Sequence, residues 1–177
     1  MTEILVIGNE HDTAIERLIC DRLSLTYRVL YIKGNRFLDI GSGYELIVFD
    51  CETPVIESMN SSIVLAKRGS QLPGRLPEGC TAIINADNST QLEAVRNSGV
   101  YVLDCGISPT STVSFTGEDE ESLMVSLNRS LHAMSGREIQ PLEIPVKKHG
   151  ADDYTLMSFT ALRLLLDDFN SELGELI

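Results

Sequence analysis

The chain of 177 residues carries 14 basic against 26 acidic side chains, a formal net charge of −12, and 43% of its residues are hydrophobic. The negative net charge repels nucleic acid and anionic membranes, so we expect neither as a partner. The hydrophobic fraction excludes disordered and collagen-like proteins. No run approaches the roughly 18 apolar residues of a membrane span, and the start "MTEILVIGN" lacks the basic flank of a signal peptide. We therefore expect a cytoplasmic protein.

Length and cysteine content bound the architecture further. A chain of this length buries a core as one domain, so we treat residues 1–177 as a single α/β domain. The four cysteines are widely spaced and form no C-x-x-C pair: Cys20, Cys51, Cys80 and Cys105. That spacing argues against a zinc ribbon or a secreted disulfide framework, and we expect reduced thiols and no metal site.

Up to about residue 106 the pattern predicts alternating strands and helices. Nearly continuous apolar runs predict strands that are covered on both faces, as in a parallel sheet. These runs are EILVIG, YRVLYI, ELIVFDC, TAIINADN and VYVLDCG. The first helix is predicted over residues 13–25. Its apolar stripe comprises Ile15, Leu18, Ile19, Arg22 and Leu25.

Two further helices are expected before residue 106. The stretch SSIVLAKRG, residues 61–69, is one candidate. The stretch DNSTQLEAVRNSG is the other, with Asn88 or Ser89 as N-cap, Leu92 and Val95 facing inward and Gly99 after its end. The core over residues 1–106 is therefore a doubly wound, mostly parallel α/β unit.

The pattern changes over residues 107–177. TVSFTG, SLMVSLNRS and EIQPLEIPVK alternate apolar and polar residues, which predicts half-buried antiparallel strands with a hairpin through GEDEE. Residues 122–134 also suit a helix, so strand and helix both stay open there. DDYTLMSFTALRLLLDDF predicts a final helix capped by Asp152 or Asp153, wide enough in its apolar surface to pack against the sheet.

The opening loop GNEHDTA lies where a phosphate-binding loop is expected, between the first strand and the first helix. Such a loop needs glycines, a lysine for the β/γ oxygens and a Ser or Thr for magnesium. Here His11 and Asp12 stand where the second glycine and the lysine belong. Unit charges about 4 Å apart interact by roughly 4 kcal/mol at an effective dielectric of 20. Tight ATP binding is therefore not expected, and G-x-G-x-x-G is absent.

The stretch LAKRGSQLPGRLPEGCTAIINADNS, residues 65–89, resembles the central domain of the Mur ligases of peptidoglycan synthesis, especially the member that adds D-alanyl-D-alanine. In that family an Ala-Lys is followed by an LP-x-G-type turn and a strand that ends in Asn-Ala-Asp-Asp or Asn-Ala-Asp-Asn. The family's G-T-N-G-K-T-T loop falls in register with Gly8 to Ala14, including Asn9. ELIVFDCETP resembles the strand that carries the catalytic acidic residue.

The resemblance implies roles for individual residues. Lys67 resembles the lysine that is carbamylated to help hold a second magnesium. Asn85 and Asp87 resemble the motif beside the adenine. Thr13 aligns with the threonine that binds magnesium in the family. The loop lacks the family's lysine and glycines, and its G-x-H-N motif is not recognisable in KKHGADDY. Since ligation needs an acyl phosphate made from ATP, the resemblance implies a Mur-like fold without ligase activity.

Each of these residues also has a plainer interpretation. Gly8 suits a turn, and Asp12 and Thr13 suit the cap of the first helix. Lys67 suits a solvated helix position, and the run Asn85 to Asn88 suits a strand-to-helix cap as well as a ligand crevice.

Four more candidates follow two other predicted strands. Asp50 and Asp104 stand at strand ends, each followed by a cysteine. If those strands are neighbours, Cys51 and Cys105 face one another as a redox or soft-metal pair, although free cysteines are usually small buried hydrophobes. The histidines form no metal-binding pattern and no catalytic triad signature; they are His11, His132 and His149.

Three functional hypotheses follow. The first is a non-catalytic Mur-like module that binds a partner protein or, weakly, a nucleotide or sugar-nucleotide, with no required cofactor beyond weak ATP and magnesium. The second is an enzyme of another chemistry in the same crevice. Its candidate groups are Asp50, Asp104, Cys51, Cys105 and His11. The third is a structural subunit that forms homo- or hetero-oligomers.

Overall fold

The computed structural model describes residues 1–52, 54, 62–96 and 98–168. These residues form a ten-stranded sheet, a two-stranded hairpin, three α-helices and a short 3-10 turn over Leu23–Leu25. The strands are β1 (Thr2–Ile7), β2 (Tyr27–Lys33), β3 (Arg36–Ile40), β4 (Tyr44–Cys51), β5 (Ser62–Ala66), β6 (Thr81–Asn85), β7 (Tyr101–Cys105), β8 (Val113–Glu118), β9 (Ser122–Leu127), β10 (Leu131–His132), β11 (Glu138–Ile139) and β12 (Leu142–Lys147). The helices are α1 (Ala14–Arg22), α2 (Ser89–Val95) and α3 (Asp153–Leu165).

The strand order in the large sheet is β12-β9-β8-β7-β6-β5-β1-β4-β2-β3. All pairings from β8 to β2 are parallel, whereas β3 at one edge and β9 and β12 at the other pair antiparallel. This confirms the predicted α/β class, a mostly parallel sheet with a short antiparallel C-terminal extension and a final helix.

The central strands are buried on both faces, which explains their unbroken apolar runs. In β1, Ile4 and Val6 lie in one hydrophobic cluster, and Leu5 and Ile7 lie in the other. Successive side chains of a strand point to opposite faces, so both faces of the sheet must be covered.

Helix α3 is buried on all sides. Every residue from Tyr154 to Leu165 is buried, and the helix packs against strands β5 to β9 as well as α1. A helix that is apolar all round belongs in an interior. As predicted, Asp152 caps it, because its Oδ1 accepts from the backbone N–H groups of Tyr154 and Thr155 at 3.1 and 3.3 Å. The predicted final residue of the helix, Phe169, lies outside the described residues.

The helix predicted over residues 61–69 is wrong. Residues 62–66 form β5, and all five are buried. Ile63 and Val64 are β-branched and central in the sheet, where packing on both faces favours a strand over a short helix. Residue 61 lies outside the described residues.

The predicted alternation of strand and helix also fails on one side of the sheet. No helix separates β2, β3 and β4, whose connecting residues are all described, because β2 and β3 form an antiparallel pair at the edge. The polar pattern of β3, with Phe37 exposed, lacks the apolar run that identified its neighbours.

Two helix residues predicted to face inward are exposed. Leu25 is 73% exposed. Helix α1 ends at Arg22 and passes into the 3-10 turn, whose different residue spacing turns Leu25 away from the apolar face of α1. Leu92 is 41% exposed, whereas Val95 is buried as expected. Asn88 is the N-cap of α2, as predicted. Gly99 has a left-handed φ of +69°, but the helix ends at Val95, so this glycine shapes the following turn.

The antiparallel strands after residue 106 are confirmed. β8 and β9 form the predicted hairpin, and β12 pairs with β9. Residues 122–127 are strand, which decides the alternative that the sequence left open. In the described part of the chain, none of the helices has the length and apolar character needed to cross a membrane.

Candidate functional site

The candidate site lies where the parallel strands β4, β1, β5, β6 and β7 end. Because these strands are parallel, their carboxyl ends meet at one edge of the sheet, where open α/β proteins bind ligands. The loop over residues 8–13, which we call the β1–α1 loop, leaves β1 at this edge. Its first N–H, on Gly8, donates to the carbonyl of Cys51 at the end of β4.

Lys67 fills the space enclosed by the β1–α1 loop. It directly follows β5 and is buried, so the interpretation as a solvated helix lysine is wrong. Its Nζ donates to the backbone carbonyls of Asn9 and Asp12, both at 2.9 Å. The same Nζ lies 2.8 Å from Oδ1 of Asp50, and the two side chains are 3% and 0% exposed.

The polarity of this loop is opposite to that of a phosphate-binding loop. A phosphate is held by backbone N–H groups that point into the loop, whereas here two carbonyls point at an internal ammonium. Gly8 has a φ of +146°, and a Cβ at this position would lie 2.7 Å from Cβ of Lys67. The glycine is therefore needed for the close approach of the loop to the Lys67 side chain.

Asp50 connects Lys67 to a wider set of buried charges. Tyr31 donates its hydroxyl to Oδ2 of Asp50 at 2.8 Å, and Nζ of Lys33 lies 3.4 Å from the same oxygen. Lys33 also binds Glu16 at 2.9 Å, and Arg36 binds the other oxygen of Glu16 at 2.6 Å. Each buried carboxylate thus has at least two cationic partners.

This arrangement changes three pKa values. Burial and the neighbouring Asp50 carboxylate raise the pKa of Tyr31 well above its usual range. Burial alone would raise the pKa of Glu16, but the hydrogen bonds and charges of Lys33 and Arg36 outweigh it, and the pKa is lowered. The pKa of Lys33 is raised, because the carboxylates of Glu16 and Asp50 outweigh the cost of burial. The network therefore keeps the phenol protonated and both Glu16 and Lys33 ionised.

The side chains of Asn9 and Asp12 form hydrogen bonds with neighbouring backbone groups. Oδ1 of Asn9 accepts from the N–H of His11 at 2.8 Å, and Oδ1 of Asp12 accepts from the N–H of Ala14 at 3.1 Å. Asp12 thus acts as the helix cap of the plainer interpretation. Thr13 occupies the N-cap position, but among the described residues its hydroxyl makes no capping bond.

The residues that follow β6 also form hydrogen bonds within the protein. Asn85 accepts from the N–H of Asp87 at 2.9 Å and donates to the carbonyl of Arg68 at 3.2 Å. Asp87 accepts from the N–H of Ile107 at 3.3 Å. Asn88 caps α2 through the N–H groups of Thr90 and Gln91. This geometry is that of a strand-to-helix cap.

Gln91 ties the ends of β5 and β6 together and was not recognised from the sequence. It is fully buried, and its Nε2 donates to the carbonyls of Lys67 and Ser70, both at 2.9 Å. Its Oε1 accepts from the N–H of Asn85 at 2.8 Å. An amide that satisfies three backbone groups in a dry site fixes the position of Lys67.

The condition for a pair between Cys51 and Cys105, that their strands are neighbours, is not met. Strands β1, β5 and β6 separate β4 from β7, which puts the two strands about 19 Å apart at roughly 4.8 Å per strand. Burial raises the pKa of both thiols, so neither has the depressed pKa of a reactive cysteine. Asp104 accepts from the N–H and hydroxyl of Thr112 at 3.1 and 2.6 Å, away from Asp50.

The three histidines remain apart. His11 is exposed next to Glu10, His132 lies in β10, and His149 follows β12. Within residues 1–52, 54, 62–96 and 98–168, no three His, Cys, Asp or Glu side chains come together in a way that suits a metal ion.

Glu16, Tyr31 and Lys33 belong to the candidate site but were missed from the sequence. Glu16 follows the buried Ile15, and Lys33 ends an apolar strand. The sequence signal for these residues was a charged side chain next to apolar positions. The ion-pair partner of such a side chain can be identified only when the strand order is known.

The fold is similar to that of part of the Mur ligases. A crystal structure of MurF ligase from Thermotoga maritima in complex with ADP is similar with a TM-score of 0.60 and 12% identity, covering 98% of this chain and 47% of that one. A UDP-N-acetylmuramoyl-L-alanyl-D-glutamate–2,6-diaminopimelate ligase is similar with a TM-score of 0.54 and 12% identity, covering 96% and 44%. No family model matches the chain, and no curated protein does.

These similarities establish a Mur ligase-like fold and nothing finer. The chain spans less than half of the length of the two ligases, and it matches both at 12% identity. The similarity therefore supports the expected fold without selecting the D-alanyl-D-alanine-adding member.

Proposed function

We propose that this protein is a Mur ligase-like module that has lost ATP-dependent ligation and that binds a partner protein or, weakly, a nucleotide or sugar-nucleotide. The observation that carries this proposal is the Lys67 ammonium held between the carbonyls of Asn9 and Asp12. In a nucleotide-binding loop that space belongs to phosphate oxygens.

Ligation through an acyl phosphate depends on positioning and neutralising the transferring phosphoryl group. The β1–α1 loop offers carbonyl oxygens and the Asp12 side chain at the place where amides and a lysine are needed. An incoming polyphosphate would have to displace Lys67 from three acceptors and leave Asp50 buried without its nearest cation, which is costly. The loop therefore favours its internal ion pair over a triphosphate.

The same contacts argue against the magnesium-binding role that the resemblance implies for Lys67. Carbamylation requires a neutral, accessible amine, whereas Nζ of Lys67 is buried, lies 2.8 Å from a carboxylate and donates to two carbonyls. These contacts leave the amine buried and fully engaged with protein partners. Lys67 is thus a structural cation in this proposal.

Isothermal titration with magnesium and ATP, ADP or UDP-N-acetylglucosamine tests the proposal. We expect dissociation constants no tighter than about 1 mM, a binding free energy of about −4 kcal/mol, and no magnesium-dependent hydrolysis. Micromolar ATP binding with hydrolysis would contradict it.

The variant Asp12→Asn separates the two physical causes. If Lys67 and the carbonyls exclude the phosphates, removing the Asp12 charge leaves ATP binding weak. Micromolar affinity in this variant would show that the side-chain charge alone was responsible and that the loop backbone still accepts a triphosphate.

A further inference from the structure

A groove of about 410 Å³ lies between α1, the 3-10 turn, α3 and β12. The edge strand β12 and helix α1 both line this groove, although six positions separate β12 from β1 in the strand order. Much of its wall is apolar, formed by Leu18, Leu25, Val146, Leu156 and Phe159.

The remaining wall contains three cations beside Ser122, Pro145 and His149. Arg22, Lys147 and Arg163 all line the groove. Among the described residues, neither Arg22 nor Lys147 has a carboxylate partner. Three cationic side chains thus converge on one apolar groove of a protein whose net charge is −12.

Arg163 is the most buried of these cations. Its side chain is 3% exposed, and its Nε donates to Oδ2 of Asp168 at 2.7 Å. Its Nη2 is buried and has no hydrogen-bond partner within the described part of the chain. Since a buried guanidinium donor without an acceptor is costly, a ligand oxygen that reached it would relieve that cost.

His149 does not neutralise the positive charge. Nη2 of Arg22 lies 2.6 Å from Nε2 of His149, and because a guanidinium only donates, the ring must accept and be neutral. Burial and the charges of Arg22 and Lys147 lower the pKa of His149. Asp21 lines an adjoining recess, and Asp168 already binds Arg163.

We propose that this groove binds a small amphiphilic carboxylate, with its apolar part against Leu25 and Val146 and its carboxylate on the cations of Arg22 and Lys147. The volume falls in the range of small-molecule sites, about 300–1,000 Å³, which are mainly apolar with a few polar groups that orient the ligand. Arginine matches the planar geometry of a carboxylate. The groove shares no residue with the β1–α1 loop, so this proposal stands apart from the question of ATP binding.

Isothermal titration of the full chain with octanoate tests the proposal, with octanamide and acetate as comparison ligands. We expect saturable binding of octanoate. Octanamide should bind at least about tenfold more weakly, since hydrogen bonds to a charged group exceed neutral ones by that order. Acetate should also bind at least about tenfold more weakly than octanoate, because it lacks the methylene groups that the apolar wall buries.

Variants at the rim locate the site. Arg22→Gln and Lys147→Gln should each weaken octanoate binding about tenfold or more, while Arg96→Gln, on the exposed side of α2, should leave it unchanged. No saturable octanoate binding, equal binding of octanamide, or equal affinity of all three variants would each overturn the proposal. The rim variants avoid Arg163, whose replacement threatens the fold.

Discussion

Nζ of Lys67 lies 2.8 Å from Oδ1 of Asp50, and the two residues come from strands that flank β1 on either side. The ion pair therefore bridges the end of β1 where the β1–α1 loop begins. The loop adds the carbonyls of Asn9 and Asp12 to the coordination of the ammonium. The space enclosed by the loop is thus filled by the protein's own Lys67 side chain.

The replacement Lys67→Met should be strongly destabilising. It leaves the fully buried Asp50 without its nearest cation, and breaking a buried pair in this way costs about 3–5 kcal/mol. Urea denaturation measures the change in the free energy of unfolding. The double variant Lys67→Met/Asp50→Asn should recover about 2 kcal/mol, because the uncompensated charge is gone.

Lys148→Met provides the matched control for that experiment. Lys148 pairs with Glu118 at 3.0 Å, but the Glu118 side chain is 52% exposed. Since exposed pairs contribute about 0–1 kcal/mol, its loss should be small. Equal destabilisation by the two lysine variants would show that the Lys67 ion pair contributes no more to stability than an exposed pair.

Gly8→Ala should destabilise the protein by about 1–3 kcal/mol, the usual cost of a strained backbone position. The residue has a φ of +146°, and the new Cβ would lie 2.7 Å from Cβ of Lys67. Gly74→Ala is the control, since nothing lies within 4 Å of its added Cβ. Thermal and urea unfolding of both variants check this, and an unchanged Gly8→Ala protein would contradict the close packing of loop and lysine.

Gln91→Leu should cost about 1–3 kcal/mol, the cost of one unsatisfied buried group. It removes the acceptor of the buried Asn85 N–H, whereas the carbonyls of Lys67 and Ser70 keep donors from Ser70 and Asn88. Gln71→Leu, at an exposed position, should change stability little. Comparable unfolding midpoints for the two variants would refute the bridging role.

The contribution of Glu16 to stability should depend on pH. Its folded-state pKa is lowered from 4.5, so its stabilising effect is complete above the unfolded-state pKa and is lost as pH falls through the folded-state pKa. Wild type should therefore exceed Glu16→Gln in free energy of unfolding at pH 7, and the difference should shrink below about pH 4.5. A difference that stays constant from pH 7 to pH 3 would rule out this linkage.

Several features were determined by local sequence. The apolar runs of β1, β2, β4, β6 and β7 predicted strands correctly, because burial on both faces of a parallel sheet leaves an unbroken hydrophobic pattern. Asn88 and Asp152 were recognised as caps, since a capping side chain acts on backbone groups two or three residues away. Local periodicity also indicated the antiparallel hairpin of β8 and β9, but it left a helix open for residues 122–134.

Only the tertiary structure decided how these elements are ordered, and with that the chemistry of the site. The order β4-β1-β5 brings Asp50 to Lys67, and the strands between β4 and β7 keep Cys51 away from Cys105. Strand order depends on crossover connections and packing between distant segments, which leave no local trace in the pattern of apolar and polar residues. For the same reason Lys67 was read as a solvated lysine: its burial comes from a loop 55 residues earlier in the chain.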